Sequence, residues 1–264
     1  MSLRLPRDLG PVNWLGLRTH IGKEVHRFLK VGLQTLVAPV VTSLIFLAIF
    51  SLALGRSVQI IGGVPFVEFL APGLIMMAVI QNSFNNTVSS LMVSKIQGNI
   101  VDVLVPPLMP GELILGFSIG GMVRGVLVAV FVGLGMWFFV PMNIHNLFFI
   151  FSHVALAAGL MSMLGLLVGI WADKFDHQAA ISNFIIIPLS FLSGTFYSIE
   201  RLPTPWQELA MLNPFFYMID GFRFGFIGHN DASLGAGFLY LGALNLLVWL
   251  ICYRLVSKGY KLKA

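Results

Sequence analysis

Charge is scarce in this sequence: 16 Lys and Arg and 11 Asp and Glu make up 10% of 264 residues, against the ~25% usual for a soluble domain. With 57% hydrophobic residues, that scarcity excludes an ordinary water-soluble fold and places the chain in a bilayer. Cysteine is nearly absent. Cys252 stands alone, so no intrachain disulfide can form. No GxxxxGK[ST] loop occurs, so any ATP-driven function draws on another chain. No HExxH pattern and no Ser/His/Asp arrangement points to an enzyme, and three adjacent polar groups in ADKFDHQ read as a solvated turn rather than a metal site. Net charge is +5 and the isoelectric point about 9.6, but the excess sits at the two ends and lacks the basic, aromatic patch of a nucleic-acid binder.

What is present is a series of long apolar runs. Residues 31–54 hold the first, 24 residues long, which is a membrane helix rather than the short apolar core of a signal peptide. Further spans are expected at 66–93, 112–140, 147–171, 181–199 and 237–256. Ahead of them, 11–30 reads as an amphipathic interface helix, with Trp14, Leu17, Ile21, Val25 and Phe28 on one side. The expected fold is all-α and integral to the membrane, one domain over 1–264.

Three features break the apolar monotony. On the second span Ser83, Thr87 and Ser90 share a helical face with Asn82 and Asn86 beside them, which suggests either interhelical hydrogen bonds or a wetted pathway. The third span carries Arg124 about 18 Å in, where a cation must face protein or water. It also carries Gly116, Gly120, Gly121 and Gly125, which admit a close neighbour.

The stretch 181–227 is apolar and aromatic but breaks its own helix at Pro203, Pro205 and the Asn213-Pro214 pair. Its pieces after 199 are too short to cross ~30 Å of hydrocarbon, so 200–230 is expected to be a re-entrant helical hairpin between the fifth and sixth spans. Trp206, Asn213, Pro214, Asp220 and Arg223 are assigned to an outer gate, with Asp220 and Arg223 as an i, i+3 pair. Basic residues agree with six spans and both termini cytoplasmic. On that reading Arg4, Arg7, Lys95 and Lys174 fall inside, and only Arg56, Arg201 and Arg223 outside.

The segments KEVHRFLK, GNIVDVLVPPLMPGELILG and FLSGTFYSIERLPTPWQELAMLNPFFYMIDGFRFGF resemble the ABC-2-type permeases, the membrane subunits of ATP-binding-cassette exporters, and their YadH-like branch in particular. The resemblance covers nearly the whole chain. It implies a bacterial inner-membrane exporter subunit in which two copies pair and two separate ATPase subunits, carrying ATP and Mg, touch the amphipathic helix and the loop between spans two and three. The chain itself holds no cofactor on this view. The loop departs from relatives in carrying Asp102 and few other acids.

Mechanically, the loop continues from the polar face of span two and enters span three through the stiff Pro106-Pro107 run. Gln97, Gly98, Asn99 and Asp102 are therefore expected to couple to the ATPase, with Glu24 and Arg27 at its side. The path is expected along Asn82, Ser83, Asn86, Thr87, Ser90, Phe184 and Phe191, suited to an amphipathic, lipidic or drug-like cargo. The alternative is an ion-coupled secondary transporter using Arg124, Glu68 or Asp220.

Overall fold

The computed structural model describes residues 10–55 and 60–262; Ser2, Arg4, Arg7, Arg56, Lys263 and Ala264 lie outside them. Among the described residues the architecture is helical apart from a two-stranded hairpin, β1 (Ile60–Ile61) and β2 (Val64–Pro65), in the turn before the second long helix. The long helices are α2 (Ala38–Leu54), α3 (Phe66–Ile96), α5 (Pro110–Trp137), α6 (Leu147–Trp171) and α11 (Leu234–Ser257). Together with the turn leading into α2, these give five segments long and apolar enough to cross a membrane.

The chain that fills the place of a further crossing is not one α-helix. It runs as α7 (Phe175–Ile181), a π-helical turn Ser182–Ile186, and α8 (Ile187–Leu192). Helix over the stretch expected at 181–199 thus begins earlier, at Phe175, and ends at Leu192, and Ser193–Ser198 is a turn outside it. The same device precedes α2, where a π turn, Leu33–Val37, stands ahead of Pro39 just as Ser182–Ile186 stands ahead of Pro188. A proline removes the N–H owed to the carbonyl four residues back and crowds it; a wider turn accommodates both effects.

α3 is the axis of the bundle. It packs on α5 and α6, is buried along most of its length, and joins one core from Phe66 to Met92. Glycines set the distances. A side chain at Gly165 or Gly169 of α6 would meet Phe84 O and Leu91 of α3. Lys95 Nζ, at the end of α3, donates to Gly169 O, Ile170 O and Ala172 O at 3.3, 3.0 and 2.8 Å, filling the carbonyls that close α6. Lys261 adds a hydrogen bond to Trp171 O and an ion pair to Asp173 at 2.9 Å. These lysines mark a basic end of the bundle.

α1 (Trp14–Leu29) starts at the basic end, beside the start of α5. Asn13 N donates to Glu112 Oε1 at 2.6 Å, and Met109 N to Glu112 Oε2 at 2.8 Å, so one carboxylate caps α5 and anchors α1. From there α1 runs alongside α5, with Gly16 near Leu108, His20 over Gly116 and Glu24 over Gly120. Its buried face is Leu17, His20, Glu24 and Phe28; Trp14 of the expected apolar face is exposed. The glycine ridge of α5 admits these bulkier side chains, and α3 offers the polar partners that His20's neighbour Glu24 requires.

Candidate functional site

The polar face of α3 is covered, not open. Ser83, Asn86 and Thr87 are fully buried and Ser90 nearly so. A Cβ at Gly121 would strike Ser162 Oγ and Thr87 Oγ1, and one at Gly125 would strike Ser83 Oγ, so α5 and α6 close over the upper part. α1 closes the lower part. Ser90 Oγ donates to Glu24 Oε1 at 2.8 Å, and Arg27 Nη2 donates to Asn86 O and Oδ1 at 2.8 and 3.0 Å. Of the residues assigned to the path, Ser83, Thr87 and Ser90 thus serve contacts between helices within the protomer. Glu24 is 0% exposed, held by Ser90, Arg27 at 3.4 Å and Lys23 at 3.9 Å. Its placement removes it from the outer surface of the protomer, unlike the exposed Gln97, Gly98, Asn99 and Asp102.

His20 sits edge-on to Phe117, ring centroids 4.6 Å apart, and its Nε2 has no hydrogen-bond partner in the protein. Burial holds its pKa below the ordinary value, partly offset by Glu24.

Asn82, one turn before Asn86, turns the other way. Its Oδ1 accepts from Arg124 Nη2 at 2.9 Å, so two asparagines on successive turns hold two arginines. Both guanidinium groups border one cavity of about 500 Å³ between the start of α2 and α3. Gln34, Thr42, Gln81 and Ser89 add polar walls, and Phe46, Leu74 and Met77 apolar ones. Asn82 lies 14 residues before Ile96, so this cavity reaches about 21 Å from the basic end, near the middle of the long helices. Phe184 and Phe191 are elsewhere: Phe184 is 80% exposed, and Phe191, 37% exposed, stacks on Phe196 at 5.2 Å. Neither lines the cavity that Asn82 borders.

The proposed gate pair also separates. Asp220 and Arg223 lie on α10 (Pro214–Ile227), and both are buried. Asp220 accepts from Asp231 N at 2.8 Å and Ala232 N at 3.2 Å. Arg223 donates to Phe69 O at 3.2 Å and Gly194 O at 2.7 Å, with its guanidinium 3.7 Å over the Phe69 ring. Each binds backbone, so the expected i, i+3 ion pair is not made. Pro72 loosens the first turns of α3, and Gly73, whose Cβ would meet Thr195 O, lets the Gly194 turn approach. Asn213 caps α10 through Phe215 N and donates Nδ2 to Leu189 O at 2.7 Å, tying α8 to α10, with Pro214 at the first helical position. Trp206 is exposed on α9 (Thr204–Leu212).

At the basic end the α3–α5 connection presents Gln97, Gly98, Asn99 and Asp102 to the outside, while Ile100 and Val103 of the short α4 (Ile100–Leu104) anchor it in the core. Gly98 has φ +74°, the left-handed turn that ends α3.

Residues 17–227 match the family model described as ABC-2 type transporter, which is most of the chain and includes most of α1, the elbow formed by the α3–α5 connection, the cavity and α10. The chain belongs to the ABC-2 transporter family. Among its relatives, the inner membrane transport permease YadH of Escherichia coli strain K12 is 39% identical over 251 residues, 95% of this chain and 98% of its own. Nodulation protein J of Rhizobium leguminosarum bv. trifolii is 25% identical over 232 residues, 83% of each chain. This ABC-2 permease is therefore a membrane transport subunit with several apolar crossings, and its elbow and cavity are to be understood as parts of a transporter.

Sequence reasoning missed His20, Gln34, Gln81 and Glu112. The first sits at helical spacing with Leu17 and Glu24, a signal that hydropathy alone passes over.

Proposed function

We propose that the chain is the permease of an ATP-binding-cassette exporter of the bacterial inner membrane. Two copies pair, and two ATPase subunits, which bind ATP and Mg, dock at the basic end and drive an amphipathic, lipidic or drug-like cargo outward. On this reading the basic end and both termini are cytoplasmic, and α7, its π turn and α8 form the sixth crossing. α9 and α10 are the re-entrant hairpin, since at 9 and 14 residues they reach only about 14 and 21 Å.

The observation that carries the reading is the elbow. It is exposed, it is short, and it is rooted in the core by Ile100 and Val103 while its two ends are α3 and α5. Ile96, Val101 and Val105 add exposed apolar side chains beside Asp102, a surface suited to a protein partner rather than to water. A push there moves the two helices that border the cavity. The ion-coupled alternative is less favoured, because Asp220 is committed to two backbone amides.

The test uses the permease with its partner ATPase in proteoliposomes. Asp102→Arg and Gly98→Pro are expected to leave the permease inserted and paired while lowering ATPase affinity and transport. Unchanged affinity and coupling in both would overturn the docking assignment. Cysteines at Gln97 and Trp206 test orientation. An impermeant thiol reagent added to intact cells should label only the second, and Cys252, being buried, leaves a low background.

A further inference from the structure

The cavity beside α3 has a charge problem that the protein does not solve by itself. Arg27 has Glu24 as a counter-ion at 3.4 Å. Arg124 has none: among the described residues no carboxylate lies within 4 Å of it, its Nε is without a hydrogen-bond partner, and Asn82 alone holds one of its nitrogens. Among the described residues no Asp or Glu lines the cavity. A cation without a counter-ion halfway along a membrane bundle is costly, so its persistence calls for a ligand that supplies the missing charge.

The geometry limits what that ligand is. The two arginines are held by Asn82 and Asn86, one turn and about 6 Å apart along α3, so they flank a small space. Guanidinium donors in that arrangement suit the oxygens of a phosphate or carboxylate. Gln34 and Gln81 add amides, whereas Phe46, Leu74 and Met77 offer an apolar wall continuing toward the far end. At about 500 Å³ the space holds a head group with part of a chain, not a whole lipid.

We propose that this cleft binds an amphipathic anion, its oxyanion head between Arg27 and Arg124 and its chain along Phe46, Leu74 and Met77. Two sources supply such an anion, the head group of a bilayer phospholipid and the transported molecule. Only the second of these rests on the exporter reading.

Binding is measured on the full-length permease in a neutral maltoside detergent, with dodecyl phosphate as the probe and dodecyl maltoside as the uncharged competitor. Wild type should bind dodecyl phosphate saturably and without competition from the maltoside. Arg124→Gln should weaken binding about tenfold or more and Arg124→Lys, which keeps the charge, much less. Ala38→Trp, an exposed rim position that fills the cleft without changing charge, should also weaken it, so the result does not depend on how one arginine variant folds. Equal affinity in Arg124→Gln and Ala38→Trp, or displacement by the maltoside, would overturn the site.

The source is then decided in phosphatidylcholine proteoliposomes containing the partner ATPase. Stimulation of ATP hydrolysis by dodecyl phosphate, lost in Arg124→Gln, supports the cleft as a cargo site. Phosphatidylglycerol that copurifies with wild type but not with Arg124→Gln, without stimulation, supports it as a phospholipid site. Should the ATPase fail to bind the permease at all, the exporter reading falls while the binding comparison still judges the cleft.

Discussion

Ser90 Oγ and Glu24 Oε1 are 2.8 Å apart, and both residues are buried, so a hydroxyl on α3 and a carboxylate on α1 fasten the first helix to the axis of the bundle across 66 residues of sequence. Ser90→Ala should cost about 1–3 kcal/mol because it leaves a buried carboxylate oxygen short of a donor. Glu24→Ala should cost about 3 kcal/mol or more, since Arg27 then loses its counter-ion. Thermal unfolding in detergent measures both, and hydrogen exchange should rise first in α1. Wild-type exchange of α1 in both variants would show that the helix is held by its apolar contacts alone.

Exchanging Asp220 and Arg223 should not restore stability lost in the single charge reversals. Each residue serves backbone groups on a different segment, Asp231 and Ala232 for one, Phe69 and Gly194 for the other, and the exchange satisfies neither. Arg223→Lys should also destabilise, because an ammonium cannot reach both carbonyls in the fork geometry and stack on Phe69 as well. The unfolding midpoint of the double reversal is the measurement, and recovery to wild type would mean the two act as a pair.

Gly116→Ala should displace α1, because the added methyl would occupy the His20 ring position. Gly121→Ala should cost about 2 kcal/mol, since Ser162 and Thr87 both stand in its way. Gly22→Ala, with open space around it, is the control and should be neutral or slightly stabilising. Thermal midpoints of the three variants check the order.

The docking of α1 should weaken as pH falls. Burial depresses the His20 pKa in the folded state, so the unfolded or undocked state binds the proton more readily. The stability tied to neutral His20 is present above about pH 6.5 and is lost as pH falls through the folded value. His20→Phe should flatten the pH dependence of α1 exchange between pH 7.5 and 5.5, and an unaltered slope would assign it to another group.

Much of the fold was legible because it is written in run length. Apolar runs near 20 residues located α2, α3, α5, α6 and α11, and the glycine pairs of α5 and α6 marked close approaches that are there. Direction was harder. Periodicity put Ser83, Thr87 and Ser90 on one face but is silent on what covers it; the cover is α5 and α6 over Ser83 and Thr87, and α1, some 60 residues earlier, over Ser90. For α1 itself, hydropathy chose Trp14, Leu17, Ile21, Val25 and Phe28; Leu17 and Phe28 are buried, but beside them the folded helix turns His20 and Glu24 inward. A glycine ridge with polar groups behind it receives them, a match that no single helix announces. Asp220 and Arg223 misled in the same way, because spacing suggests pairs within a helix while both side chains were recruited by backbone from outside it.

The two π turns divide the molecule mechanically. α3, α5 and α6 pack closely on one another, whereas α2 and the α7–α8 segment each contain or follow a wide turn with a proline two residues on, and both present much of their surface outward. A wide turn lacks the tight hydrogen-bond repeat of its flanks and bends more easily there than elsewhere. The pair therefore amounts to two pivots, one beside the cleft inside the bundle and the other reached from the basic end through α7. Load applied to α3, α5 and α6 is expected to swing these two rods before it distorts the core, and with them the width of the cleft that α2 walls.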